Sequence, residues 1–369
     1  MVFHDRPLFD AFPALRVPWT DLGEFPTPLH SLAPVARALN SPTEAWVKRD
    51  DLSSPVYGGN KVRTLEVLFG QALDEGATHI VATGAFGTNH GTATVLHAPR
   101  VGLIPETLIF PQPPSRSALE NLQVLRQAAH HPLFHWSQLP FGMLHNRVRA
   151  RRRRQFVMVP GGATPQGALG YISAGLELAH QVAAKEMPAP TTLFVGVGST
   201  CTTAGLLVGV RIAARLGIGW THPPTICAVR VTPWPVTSKT LIVRLARRAS
   251  TLLAKESGDA RAAIDAHELA EGLRVDGTQL GKGYGIPTAA GREAIRLFGE
   301  IQEGRRLTLD TTYSAKAAAA VVDAIRDRHA GPLLFWSTKS TAPLPEGPPE
   351  EAERWLLRRW SRRALLRRP

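Results

Sequence analysis

Four stretches of the chain carry residue types that could do chemistry. The first is Gly58-Gly59-Asn60-Lys61. Two glycines let the backbone approach a ligand closely. Asn60 is a suitable N-cap, and Lys61 then opens a helix. The positive end of that helix disfavours an ammonium ion, so the Lys61 pKa is expected to fall. Arg63 is expected to add to the effect. A lysine with a depressed pKa is what a Schiff-base nucleophile requires. On this tetrapeptide alone, a surface lysine in a first helical turn is the simpler reading.

The second stretch runs from Gly84 to Gly91 and holds Thr88, Asn89 and His90 between a strand and a helix. A hydroxyl, an amide and an imidazole at a helix N-terminus suit a carboxylate or a ring oxygen, although a capped loop would look the same. The third runs from Gly196 to Gly205 through Ser199, Thr200, Cys201, Thr202 and Thr203. Successive N–H groups and hydroxyls at a helix start make a phosphate cradle. No Gly-Lys-Ser/Thr follows, so it is not a nucleotide P-loop. A thiol there could react, but a bound phosphate would oppose ionisation of Cys201. The fourth is a pair of loop tyrosines, Tyr284 and Tyr313. A phenol can act as acid or base, and a buried tyrosine with a satisfied hydroxyl is the ordinary alternative. The histidines do not cluster at ligand spacing, so no metal site is expected. Gly-x-Ser-x-Gly is absent, which removes the serine hydrolase elbow.

These loops need a framework that ends strands beside helix starts. His79–Thr83, Leu193–Val197, Ile226–Val231 and Leu333–Trp336 read as short buried strands. Apolar residues from Val62 to Leu73 recur at helical spacing, and Gly76 ends the run. Leu169–Val182 and Leu206–Leu216 read as helices by the same test. Pro111–Pro114, Pro188–Pro190 and Pro345–Pro349 mark loops. Strand, loop and helix in alternation imply an α/β fold with mostly parallel sheets. Near the end, Leu356, Trp360 and Ala364 lie four apart, one apolar side of a helix. That side could cover its own domain, a second subunit or a membrane surface.

The 369 residues, 44% hydrophobic, suffice for one large or two medium domains. No apolar run reaches the roughly 18–20 residues that span a bilayer. Asp5, Arg6 and Asp10 interrupt the N-terminal apolar stretch, so it does not read as a signal peptide. Two cysteines make no disulfide framework, and a cytoplasmic location is expected. The net charge of +13 is gathered partly in Arg151–Arg154 and in the last fifteen residues. A solvated arginine-rich surface is the plain reading, and binding to nucleic acid or acidic lipid is the other.

Taken in order, the pieces resemble the fold-type II enzymes dependent on pyridoxal 5′-phosphate. The branch is the one holding D-cysteine desulfhydrase and 1-aminocyclopropane-1-carboxylate (ACC) deaminase. The stretches that match are FPTPLHSL (25–32), VKRDDLSSPVYGGNKVRTLE (47–66), TGAFGTNHGTA (83–93), VPGGATPQGALGYISAGLELA (159–179), VGSTCTTAGLLVG (197–209), GYGIPTAAGREAIRLF (283–298) and LDTTYSAKA (309–317). Residues 100–155 and 342–369 match poorly.

The resemblance implies a tryptophan-synthase-β-like fold of two α/β domains. Residues 1–54 and 161–369 would form the large one and 55–160 a small inserted one. It implies a cytoplasmic homodimer in amino acid metabolism, with Lys61 linked to the cofactor and Asn60 beside it. Asn89 falls where an asparagine meets the ring hydroxyl. Thr88 stands for the usual serine near the substrate, which Asn89 and His90 would also touch. Ser199, Thr200, Cys201 and Thr202 fall on the phosphate loop. Tyr284 and Tyr313 fall on two tyrosines lining the site and, with Lys61 and Thr88, would be catalytic.

Ser314 and Thr338 fall where the deaminases carry glutamate and leucine. Hydroxyls there leave the ring nitrogen neutral, a weaker electron sink. That favours β-elimination, most simply of D-cysteine to pyruvate, hydrogen sulfide and ammonia. ACC deamination, β-substitution and a non-catalytic basic binding protein are the alternatives. Four departures bear on the site, one of them Ala98-Pro99 near the end of a helix. Thr200-Cys201 replaces a usual Gly-Gly and is expected to crowd the phosphate. Ser337–Ser340 replaces a His-Thr-Gly-Gly-like stretch, and Thr88 adds a methyl.

Overall fold

The computed structural model describes residues 6–133, 135–144, 154–300, 307–344 and 349–360. Its strands are β1 (Leu29–Ser31), β2 (Ala45–Arg49), β3 (His79–Ala85), β4 (Ile104–Phe110), β5 (Ala129–Pro132), β6 (Gln155–Val157), β7 (Thr192–Val197), β8 (Thr225–Arg230), β9 (Leu273–Asp276) and β10 (Leu333–Ser337). They form a six-stranded sheet in the order β1-β2-β10-β7-β8-β9 and a four-stranded sheet in the order β5-β4-β3-β6. Every pairing is parallel except that of β1 with β2. The chain is therefore α/β with helices over the sheets, as the alternating pattern requires.

The six-stranded sheet is covered on both faces, which explains why its strands read as unbroken apolar runs. Successive strand residues point to opposite sides. Leu193, Val195, Val197, Leu334 and Trp336 join one buried cluster, with the Pro165–Ala183 and Cys201–Arg215 helices. Phe194, Cys227, Leu333 and Phe335 join another, with the Ser314–Arg326 helix. Each fully buried side chain of this size contributes about 1.5–3 kcal/mol.

The four expected strands all exist, with ends shifted by a residue or two. The expected helices run Lys61–Asp74, Pro165–Ala183 and Cys201–Arg215. Gly76 adopts φ +70 just beyond the first. The last of them begins five residues before Leu206, because the small residues of the preceding loop already sit in its first turn. Pro111–Pro114 and Pro188–Pro190 lie outside regular structure. Of the third proline stretch only Pro349 is described, and it opens the Pro349–Arg359 helix.

The apolar side of the C-terminal segment lies against its own chain. Leu356 and Trp360 are buried in a cluster with Phe86, Leu122 and Leu125. Trp360 stacks on Phe86, ring centroids 6.0 Å apart, and donates to the Leu133 carbonyl at 2.8 Å. Ala364, the arginines from 361 onward and Arg151–Arg153 lie outside the described residues.

A buried polar knot fixes the Lys61–Asp74 helix. Arg63, 2% exposed, donates to both Asp50 (2.8 Å) and Glu177 (2.8 Å). Asp50 also accepts from Thr27, Tyr171 and Trp336. Glu177 also accepts from Lys48 at 2.6 Å. One arginine thus ties this helix to the Pro165–Ala183 helix and to the segment after β2. No helix among the described residues is long and apolar enough to cross a membrane.

Candidate active site

The cavity of interest opens at the carboxyl ends of parallel strands. Gly84 and Ala85 end β3, Phe110 ends β4, Gly198 follows β7 and Thr338 follows β10, and all line it. This is where open parallel sheets bind ligands. It brings together Asn60, Lys61, Thr88, Asn89, His90, Ser199, Thr200, Thr202, Tyr284, Tyr313 and Thr338. Residues up to 278 positions apart in sequence therefore share one wall (Asn60 to Thr338).

Lys61 is the first residue of its helix. Its amine has no hydrogen-bond partner among the described residues. Burial pushes its pKa down, and Cys201 acts in the opposite direction. The expected contribution of Arg63 is not found, because its charge is taken up by Asp50 and Glu177. Nor does Asn60 cap the helix. Its Nδ2 donates to Thr202 Oγ1 at 2.9 Å, and its backbone N–H donates to the Thr338 carbonyl at 3.1 Å. The close approach to Thr338 depends on Gly59, at φ +89, where a Cβ would stand 2.5 Å from the Thr338 oxygen.

The loop after β7 turns into the Cys201–Arg215 helix through Thr200, held at φ 71. That left-handed conformation normally goes to glycine, so a threonine at this position costs backbone strain. No side chain caps this helix. Its first N–H groups and the hydroxyls of Ser199, Thr200 and Thr202 surround one corner of the cavity, an anion site by geometry and dipole. Thr203 adds a buried hydroxyl without a partner among the described residues. Thr203 is the fourth hydroxyl of the run that the sequence marks as a phosphate cradle, although the family resemblance assigns it no role. Cys201 does not join them. It is fully buried, its thiol contacts the Gly162 carbonyl at 3.2 Å, and burial raises its pKa. It is neither a cavity ligand by its side chain nor a ready thiolate.

Thr88 caps the Asn89–His97 helix by accepting from the His90 N–H at 3.2 Å. Its additional methyl fits because Gly91 and Gly84 face it. A Cβ on either would stand 2.8 Å from Thr88 Cγ2. Asn89 Oδ1 accepts from Tyr57 (3.1 Å) and Asn121 (2.8 Å). His90 is 1% exposed, and neither ring nitrogen has a partner among the described residues. Burial, with Lys61 nearby, lowers its pKa to about 3, so the ring is neutral.

Tyr284 and Tyr313 meet through their hydroxyls at 2.7 Å, rings edge to face. Burial pushes Tyr284 up to about 12 and Tyr313 well above its ordinary value. Both are phenols at neutral pH, so neither is a resting base. Ser314 is not at the cavity. It is 1% exposed, and its hydroxyl donates to Asp310 Oδ2 at 2.8 Å. Thr338 alone of that pair faces the open space. Among the described residues no group of acidic, histidine or cysteine side chains could hold a metal ion.

The sequence matches a family model described as pyridoxal-phosphate dependent enzyme over residues 20–333. The nocardicin C-9′ epimerase of Nocardia uniformis subsp. tsuyamanensis is 33% identical over 327 residues, 86% of this chain and 90% of that protein. The D-cysteine desulfhydrase of Salmonella paratyphi C (strain RKS4594) is 31% identical over 336 residues, 88% and 94% of the two chains. Among solved structures, an ACC deaminase homologue superimposes with a TM-score of 0.72 at 24% identity, over 92% of this chain and 96% of that one. This last likeness concerns the fold.

Proposed function

The chain belongs to the family of pyridoxal-phosphate dependent enzymes, and on that premise we propose that it eliminates a β-substituent from a small amino acid, D-cysteine first among them. The observation that carries this reading is Lys61. Its amine, unpaired and depressed by burial, shares a cavity with an uncapped helix N-terminus surrounded by hydroxyls. The partnerless Thr203 hydroxyl beside that helix end fits a phosphate group. The cofactor, when bound, supplies an aldehyde that joins an amine and a ring that withdraws electrons from Cα.

Lys61 would hold the cofactor and, once freed by the substrate amine, take the Cα proton on Nζ. Ser199, Thr200, Thr202, Thr203 and the backbone N–H of Cys201 would hold the phosphate. Thr338 would face the ring nitrogen, since Ser314 is occupied by Asp310. A hydroxyl there leaves that nitrogen unprotonated, which suits loss of a good leaving group such as a thiol. Thr88, Asn89 and His90 would receive the substrate carboxylate at their helix start. Tyr284 and Tyr313, both protonated, would donate to the departing group. The net change is D-cysteine and water to pyruvate, ammonia and hydrogen sulfide. We further assign residues 55–160, which contain the four-stranded sheet, to a small domain inserted in a larger one. The two buried free cysteines support a cytoplasmic location. A homodimer is the matching expectation, to be read by light scattering.

A second reading, inversion at Cα without elimination, is favoured by the 33% identity to an epimerase. One experiment separates the two. The purified protein is mixed with pyridoxal phosphate, its visible spectrum is recorded, and D-cysteine is added in deuterated water. Sulfide and pyruvate support elimination, and ACC tested alongside excludes deamination if it yields no ammonia. Recovered amino acid with deuterium at Cα and no sulfide supports inversion. Absence of any lysine-linked visible band overturns both.

A further inference from the structure

A row of hydrogen bonds behind Asn89 has only one consistent direction. Lys339, 7% exposed, places Nζ 3.2 Å from the Tyr57 hydroxyl and 5.4 Å from its ring centre. An ammonium can only donate, so the Tyr57 oxygen accepts there. The Tyr57 proton is then left for Asn89 Oδ1, 3.1 Å away. From the other side Asn121 Nδ2 reaches both the Gly87 carbonyl and Asn89 Oδ1, at 2.8 Å each. A carbonyl can only accept, so Asn121 cannot be turned round. Asn89 thus shows its oxygen to two donors and keeps its NH2 group for the cavity, which it lines.

Resting on the cofactor reading above, we infer that Lys339 and Tyr57 are positioning residues that hold the Asn89 amide as a donor to the ring hydroxyl oxygen of the cofactor. The arrangement also polarises that amide. A buried positive charge heads the row, and bonds in series strengthen one another by on the order of 10–30% each. Burial works against the ammonium form of Lys339, but Tyr57, Asp310 and Glu120 together outweigh it and raise its pKa. Lys339 belongs to the Ser337–Ser340 stretch that departs from the family pattern, so the departure has a use.

The test compares two ligands on the cofactor-free protein, pyridoxal phosphate and its 3-deoxy analogue, which lacks the ring hydroxyl. The wild-type chain is expected to prefer pyridoxal phosphate about ten-fold or more, as for one charge-assisted bond. Lys339→Met and Tyr57→Phe are expected to lose most of that preference while binding the analogue as the wild type does. The double variant should lose no more than either single one. Tyr57→Phe removes one oxygen only, so it reports even if Lys339→Met fails to fold. Variants that keep the wild-type preference overturn this inference alone. A wild type that binds neither compound overturns the cofactor reading and this inference with it.

Discussion

Asn60 Nδ2 donates to Thr202 Oγ1 across 2.9 Å, so the turn that carries Lys61 is fastened to the uncapped helix start. Thr202→Val keeps the volume and removes the acceptor. It should weaken cofactor binding by at least roughly two- to ten-fold, since the bond to Asn60 and the hydroxyl's contact with the phosphate are lost together. Thr202→Ser should restore it. Unchanged retention of cofactor by the valine variant during dialysis would show that the fastening is not used.

The two phenols act as a unit through their 2.7 Å contact. Tyr284→Phe and Tyr313→Phe should each lower kcat by about 100-fold or more, as expected for a proton donor. The double variant should fall little further, because either loss breaks the pair. Since Tyr284 titrates only near about 12, neither variant should move a pH–rate midpoint below pH 9. Steady-state rates from pH 6 to 9 check all three expectations.

Arg63→Leu leaves Asp50 and Glu177 buried without their main cation. It should destabilise the protein by about 3–5 kcal/mol. The exposed Arg116–Glu120 pair, 3.1 Å apart, should be worth only about 0.3–0.5 kcal/mol when Arg116→Ala removes it. Urea unfolding of the two variants makes the comparison, and equal losses would contradict the account of the knot.

His90 makes the fold sensitive to acid. Its pKa is about 3 in the folded chain and about 6.5 when exposed. Between those values the unfolded chain binds the extra proton, so stability falls as pH falls. The loss should reach about 2 kcal/mol at pH 5 in the cofactor-free protein. His90→Gln should flatten, without abolishing, the decline between pH 7 and 5, because burial also lowers His97. Identical slopes for wild type and variant would remove His90 as the cause.

Much of this site was legible because its parts are local. A strand, a run of small and hydroxyl residues and a helix start occur together in sequence at 79–91 and 193–205. What was not legible depends on partners brought from afar. Asn60 looked like a cap because nothing nearby shows that Thr202 competes for its side chain. Sequence alone lets Arg63 act on Lys61, because Asp50 and Glu177 lie 13 and 114 residues from it. Ser314 and Thr338 are both small hydroxyl residues, and only the Asp310 turn decides which one faces the cavity. Asn121 sits inside a helix with no local pattern to mark it. The C-terminal apolar stripe was visible, but its target, Phe86, was not.

The order of the strands sets a schedule for synthesis. β10 lies between β2 and β7 and pairs with both, so in the larger sheet β1 and β2 stay unjoined from β7, β8 and β9 until residue 337 has been made. The smaller sheet waits longer still, since Leu356 and Trp360 finish the cover over Phe86 and Leu122. Nascent chains halted before β10 should therefore expose apolar sheet surface that the ribosome-bound state must shield. Loss of Leu356 and Trp360 would be felt first around Phe86, some 270 residues earlier in the chain (Phe86 to Trp360).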